Sequence, residues 1–123
     1  MQVGKLVISN PNKDNLQIDL KDFEEKINEN TRCVIINSPN NPSGVVYTEE
    51  IIEGVCKILE KKQREYGKVI YLIADEPYRE LVYGDVKVPY LMNYYDNTLV
   101  CYSYSKSLSL PGERIGYIAV NPD

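Results

Sequence analysis

The sequence contains no histidine among its 123 residues, and this absence excludes several kinds of active site. Nucleophiles activated by an imidazole, as in Ser–His and Cys–His pairs, cannot be built from this chain. Most zinc sites also use histidine, and the three cysteines, Cys33, Cys56 and Cys101, lack metal-ligand spacing. Any chemistry must therefore come from lysine, aspartate, tyrosine or arginine, or from a cofactor, and we expect no metal site.

Long apolar runs and a basic excess are also missing. No apolar run approaches the ~20 residues that span a membrane, and the start, MQVGKLVISN, lacks the layout of a signal peptide. The net charge is −4, with acids and bases interspersed, so no basic patch indicates nucleic acid. The odd number of cysteines favours buried free thiols in a reducing compartment. We expect a cytoplasmic globular protein without membrane or nucleic-acid partners.

Apolar segments alternate with amphipathic ones along the chain. Strands are predicted over residues 5–9, 32–37, 69–75, 98–104 and 114–120. The second and third are continuous apolar runs, typical of strands that are buried on both faces. Helices are predicted after Asp19 and Thr48, which suit N-caps, and Gly67 suits the end of the second helix. This alternation indicates an α/β fold with a mostly parallel mixed sheet and flanking helices.

The connection between the last two predicted strands is short. Only a Pro–Gly turn separates Lys106 from Arg114. A parallel crossover needs about a dozen residues or more. The last strand is therefore predicted to be antiparallel to the strand before it.

Unusual polar residues gather at the predicted carboxyl edge of the sheet, which is where open α/β sheets bind ligands. They are Asn40, Asn41, Asp75, Tyr78, Ser103, Ser105, Lys106 and Arg114. Each has an ordinary explanation taken alone, such as turn formation by Asn41 or helix capping by Asp75. The separate explanations do not account for the convergence of these residues on one edge.

One cofactor, pyridoxal phosphate, can use all of these groups. A lysine such as Lys106 can form a Schiff base with its aldehyde, and a carboxylate such as Asp75 can keep its ring nitrogen protonated. Tyrosine and asparagine side chains suit its phenolic oxygen. Serine and arginine side chains suit its phosphate.

Residues 103–116, SYSKSLSLPGERIG, resemble the lysine signature of class I and II pyridoxal-phosphate aminotransferases, the aspartate aminotransferase-like group of fold type I. Agreement covers every constrained position of that signature, namely Ser103, Ser105, Lys106, Ser109, Leu110, Gly112, Arg114, Ile115 and Gly116. The segments NSPNNPSG and ADEPYRELVY resemble two further motifs of the family, in the expected order. The resemblance extends over essentially the whole chain.

The resemblance implies roles around the cofactor ring. Lys106 would be the Schiff-base lysine and proton shuttle, and Asp75 would face the ring nitrogen. Tyr78 and Asn41 would bond the phenolic oxygen. The implied catalytic residues are thus Lys106, Asp75 and Tyr78.

The resemblance also implies which residues bind the phosphate and which part of a longer protein these residues represent. Ser103 and Arg114 would hold the phosphate, with Ser105 as a further candidate. Family members are several-fold longer, so residues 1–123 are expected to be the central part of the large cofactor-binding domain, with the small domain absent. The full-length parent is expected to be a homodimer. The isolated chain is expected to be inactive. Its helices are too few to cover both faces of the sheet, so apolar faces are expected to stay open and the chain to self-associate.

The implied activity is transfer of an amino group between an amino acid and a 2-oxo acid. Two alternatives stay open: a fold type I lyase or synthase with the same cofactor residues, and a non-catalytic α/β binding module. The amino acid substrate is not identified, because the family's substrate-gripping parts lie outside this segment.

Overall fold

Four strands form one sheet in a computed structural model, which describes residues 4–122. Strands β1 (Cys33–Asn37), β2 (Tyr71–Asp75) and β3 (Thr98–Ser103) are parallel neighbours in that order. Strand β4 (Gly116–Val120) pairs antiparallel with β3. The predicted mixed sheet with one antiparallel strand is confirmed, since the short connection after β3 leaves no room for a crossover.

Among the described residues, one helix precedes β1 and three others occupy the connections between the strands. They are α1 (Leu20–Lys26), α2 (Glu49–Tyr66), a 3₁₀ helix (Leu91–Asn93) and the short α3 (Tyr104–Ser107). The Asp19 carboxylate caps α1, and the Thr48 hydroxyl caps α2 by accepting from the Ile51 N–H. Gly67 ends α2 in the left-handed conformation, at φ 62°, which glycine adopts without steric cost. Both predicted N-caps and the predicted stop are confirmed.

The core lies between the helices and one face of the sheet. Val55 and Leu59 of α2 and Leu72 of β2 are fully buried in it. Ile36 and Val100, from the strands on either side of β2, complete its centre. Every other residue along each strand faces the core, because successive side chains point to opposite faces of the sheet.

The opposite face of the sheet is open, as expected for a chain with too few helices to cover both faces, although the apolar run of β1 taken alone is typical of a strand that is buried on both. Ile35 is 62% exposed and Ile118 is 66% exposed, and Tyr71 and Val120 also lie about half open on this face. The apolar runs of β1 and β2 supply side chains for two covering layers, but the buried helix residues of the described chain join a single core cluster. An open apolar face of this kind tends to associate.

The segment at residues 5–9 forms no strand, so that prediction is wrong. Leu6 is 80% exposed, and no strand pairs with the segment. Its end is held by side chains instead: the Ser9 hydroxyl and the Asn10 backbone N–H both donate to the Asp22 carboxylate, at 2.9 and 2.8 Å. A short apolar run forms a strand only where a partner edge exists, and the described residues offer none here.

The three cysteines are free, but they differ in burial. Cys56 is buried in α2, and burial raises the pKa of its thiol to about 11. Cys101 is half-buried and Cys33 is exposed on the open face, so the expectation of three buried thiols is wrong for Cys33. Within residues 4–122, no helix has the length and apolar character needed to cross a membrane.

Gly116 is expected to be sensitive to substitution because β4 begins there in close contact with β3. A Cβ atom at Gly116 would lie directly against the carbonyl oxygen of Tyr102. We expect Gly116→Ala to lower the free energy of unfolding by about 1–3 kcal/mol, the usual cost of overpacking. Gly112→Ala is the control, since a Cβ there meets no atom within 4 Å. Urea denaturation should separate the two variants, and equal midpoints would contradict the close approach.

Candidate functional site

The strands deliver polar side chains to one edge of the sheet. Strands β1, β2 and β3 run parallel and end at Asn37, Asp75 and Ser103. Strand β4 runs the other way and starts at Gly116, which pairs with Ser103. The carboxyl ends of the parallel strands and the start of the antiparallel one therefore share this edge.

Asp75 is held at this edge by Asn37. The two residues are paired in the β1–β2 register, and Asn37 Nδ2 donates to Asp75 Oδ2 at 3.1 Å and to the Asp75 carbonyl oxygen at 3.0 Å. Partial burial raises the pKa of Asp75, and the hydrogen bond from Asn37 acts in the opposite direction. A carboxylate in this setting is suited to face a cationic group of a ligand.

Asn41, Tyr78 and Lys106 come together beside this carboxylate-bearing edge. Asn41 Nδ2 donates to the Tyr78 phenolic oxygen at 3.1 Å. The Lys106 Nζ lies 5.7 Å from the centre of the Tyr78 ring, a cation–π distance. Lys106 is exposed and projects from α3, directly after β3. Three residues far apart in sequence thus present an amide, a phenol and an amine to the same space.

The candidate phosphate ligands are arranged less tightly. Ser103 is the N-cap of α3: its oxygen accepts from the Ser105 N–H at 3.2 Å, and its hydroxyl donates to Ser105 Oγ at 2.8 Å. Arg114 lies two residues before β4 and is exposed, with φ at 54°. Its Nη1 donates to the Pro111 carbonyl oxygen at 3.3 Å. The structure places Arg114 at the same edge as the serines without joining it to them by a hydrogen bond.

Two residues beside the site were not predicted from the sequence. One is Asn37, which could have been identified from the sequence because it is a polar residue at the end of an apolar strand. The other is Glu76, which follows Asp75 and is 1% exposed. Burial raises the pKa of Glu76, and its Oε2 accepts from Arg79 Nε at 2.8 Å.

The Glu76–Arg79 pair shapes the turn that carries Tyr78. Arg79 also donates to the carbonyl oxygens of Val88 and Pro89, at 3.0 and 3.1 Å. The turn is thereby tied to the segment that follows it. Nothing in the sequence distinguished this pair from surface charges, because the burial of Glu76 results from the packing of distant segments.

The side chains gathered at this edge determine which kinds of ligand it could take. Within residues 4–122, the acidic and thiol side chains do not form a cluster of three that could hold a metal ion. An amine, a phenol and a carboxylate instead converge on the carboxyl edge of an α/β sheet. Such a set suits a ligand with an electrophilic carbon and a basic ring.

This combination defines an α/β protein with a cluster of polar side chains at the carboxyl edge of its sheet. A family model described as aminotransferase class I and II matches residues 3–123. The chain belongs to this family, as the three sequence motifs predicted.

Individual relatives agree with the family match. A probable aspartate/prephenate aminotransferase from Aquifex aeolicus is 38% identical over 107 residues, which are 84% of this chain and 26% of the relative. An aspartate aminotransferase from Thermotoga maritima is 37% identical over 106 residues. The chain therefore spans about a quarter of the length of the curated relatives it matches.

Solved structures share the fold. The crystal structure of an amino transferase from Eubacterium rectale has a TM-score of 0.91 and 61% identity, and the match covers 93% of this chain and 29% of that one. The structure of a Thermotoga maritima aspartate aminotransferase has a TM-score of 0.83 and 33% identity, covering 95% of this chain and 30% of the other. The sheet and its helices are thus those of this family.

Proposed function

We propose that this chain serves a pyridoxal-phosphate-dependent aminotransferase that moves an amino group between an amino acid and a 2-oxo acid. The observation that carries the proposal is the meeting of Lys106 and Asn41 at Tyr78, on the sheet edge where Asp75 ends β2. Because the chain spans about a quarter of its relatives, the activity is proposed for the protein in which residues 1–123 form part of a large cofactor-binding domain that works with a small domain.

The side chains present are chemically suited to pyridoxal phosphate. Asn41 donates to the Tyr78 oxygen, so the Tyr78 hydroxyl keeps its own proton for an outside acceptor such as a phenolic oxygen. Lys106 offers the amine for the aldehyde, and Asp75 offers a carboxylate for the ring nitrogen. The hydroxyls of Ser103 and Ser105 and the guanidinium of Arg114 would bind the phosphate. The guanidinium is suited to this because it is always charged.

When bound, pyridoxal phosphate supplies an electron sink that stabilises negative charge on the substrate carbon. The chain's own residues orient this chemistry. The Tyr78 ring lies under the Lys106 Nζ and keeps that amine at the site, where it can hold or move a proton. Asp75, fixed by Asn37, keeps a negative charge where a protonated ring nitrogen would need one.

The assignment of Lys106 is tested by covalent labelling. We expect the intact protein, loaded with pyridoxal phosphate and reduced with borohydride, to carry a pyridoxyl group on the peptide that contains Lys106. We expect the label on Lys106 because its Nζ lies beside the Tyr78 ring. The exposed Lys68 instead donates to the Glu29 carbonyl oxygen. Peptide mass mapping gives the answer, with Lys106→Arg as the unlabelled control. A label on Lys68 in the wild-type protein would contradict the assignment.

Two assays separate the proposal from its alternatives. Amino transfer that depends on an added 2-oxo acid distinguishes an aminotransferase from a lyase or synthase with the same cofactor. A binding module without catalysis would show no property that depends on Lys106.

Assembly and location are part of the proposal. The open apolar face around Ile35 and Ile118 supports self-association of the isolated chain, since such patches seldom stay exposed. A homodimer is proposed for the intact protein. The three free cysteines favour a reducing compartment, and we place the protein in the cytoplasm.

A further inference from the structure

We propose that Asn37 is a positioning residue that fixes the Asp75 carboxylate and the Asn41 loop in one arrangement. This inference rests on the proposed function, because it assigns Asn37 to the same site. It concerns a residue that touches neither Lys106 nor Tyr78 by a hydrogen bond but reaches both halves of the site around them.

One side chain makes both connections. Asn37 Nδ2 donates to Asp75 Oδ2 at 3.1 Å and to the Asp75 carbonyl oxygen at 3.0 Å. Asn37 Oδ1 accepts from the Asn41 backbone N–H at 2.8 Å. The first contact orients the candidate partner of the ring nitrogen, and the second places the residue whose amide bonds Tyr78.

The chemistry of these partners fixes which way the Asn37 amide points. Both Asp75 atoms are acceptors, so they require the N–H₂ group, whereas the Asn41 N–H requires the oxygen. A reversed amide would set oxygen against oxygen on one side and N–H against N–H on the other. Asparagine therefore satisfies both neighbours at once, which neither aspartate nor alanine can do.

The same contact influences the charge of Asp75. Partial burial raises the pKa of Asp75, and the Asn37 hydrogen bond lowers it, so the amide favours the ionised carboxylate. On the other side, Cys101 of β3 is paired with Asp75 in the register; burial raises the pKa of the Cys101 thiol, and the negative charge of Asp75 raises it further. Asn37 of β1 and Cys101 of β3 are thus the polar neighbours that face this carboxylate from the two adjacent strands.

Two substitutions separate the two connections in the intact protein. Asn37→Asp retains an oxygen for the Asn41 N–H but removes the donor to Asp75 and adds a like charge. Asn37→Ala removes both contacts. Ser43→Ala is the matched control, because the Ser43 hydroxyl makes hydrogen bonds within the same loop, donating to Asn40 Oδ1 at 2.7 Å and accepting from the Val45 N–H at 3.3 Å, without bonding Asn37 or Asp75.

The first readout needs no cofactor. Carbon-13 NMR titration of the Asp75 carboxyl, assigned with Asp75→Asn, should show a higher pKa in Asn37→Ala, a still higher pKa in Asn37→Asp and the wild-type value in Ser43→Ala. In the loaded enzyme, we expect turnover to fall on the order of 10- to 100-fold in Asn37→Asp, the scale of a small misplacement of reacting groups. Circular dichroism checks that each variant is folded, and Asn37→Asp decides the matter if Asn37→Ala unfolds.

An unchanged Asp75 titration in the folded Asn37 variants overturns the inference, whatever the activity. A wild-type protein that shows the predicted titration shifts on mutation, but takes up no pyridoxal phosphate on Lys106, refutes the proposed function and leaves the positioning contact supported. The two failures are therefore distinguishable.

Discussion

We expect Asp75→Asn to lower the turnover of the intact protein on the order of 10²- to 10³-fold, the usual cost of losing one preorganised electrostatic contact. The substitution keeps the shape of the side chain but removes its negative charge, and with it the group that would keep the ring nitrogen protonated. Cofactor occupancy should fall far less, because Lys106, Tyr78 and Asn41 remain in place. Single-turnover kinetics and the absorbance of the bound cofactor measure the two quantities separately.

Asp85→Asn is the matched control for this prediction. Asp85 is an exposed carboxylate in the segment that follows β2, and its loss should leave both turnover and occupancy near wild-type values. If Asp75→Asn lowers occupancy and turnover equally, Asp75 acts as a structural cap at the end of β2 rather than in the chemistry.

The largest expected effect on stability comes from Leu59→Ala. Leu59 lies on the inner face of α2, is 0% exposed and belongs to the single core cluster between the helices and the sheet. Truncation leaves a cavity that neighbouring side chains fill only in part, so we expect the free energy of unfolding to fall by about 2–5 kcal/mol. Denaturant titrations at a fixed protein concentration measure the change, since association shifts apparent stability.

The control for that measurement is Leu6→Ala. Leu6 is 80% exposed in the segment that forms no strand, so its truncation should change the unfolding free energy by less than about 0.5 kcal/mol. A loss in Leu59→Ala no greater than in Leu6→Ala would show that α2 is not packed on the sheet as described.

Much of the fold could be predicted because its signals are local. The caps at Asp19 and Thr48 and the stop at Gly67 depend on side chains and backbone conformations within a few residues. The direction of β4 followed from the length of one connection. The shared edge of Asp75 and Lys106 then follows from parallel strands that each end in polar residues.

Other features could not be predicted because they depend on contacts between distant segments. Residues 5–9 carry a strand-like pattern, but a strand needs a partner edge, and these residues bind Asp22 instead. The apolar runs in β1 and β2 suggest two buried faces when taken alone, and only the small number of helices predicted the face that the structure leaves open. An apolar pattern indicates which side chains can be buried, but it does not show whether another element is present to cover them.

The sequence by itself determined the family, through the motif around Lys106, and the direction of the four strands, through apolar patterning and connection length. Only the tertiary structure decided how the site is held together. The bonds from Asn37 to Asp75 and to Asn41 join β1 to β2 and to the loop after β1, and the contact of Lys106 with Tyr78 joins α3 to the turn after β2. Such contacts depend on how strands distant in sequence are paired and on the path of the loops between them, which the pattern within any one segment does not specify.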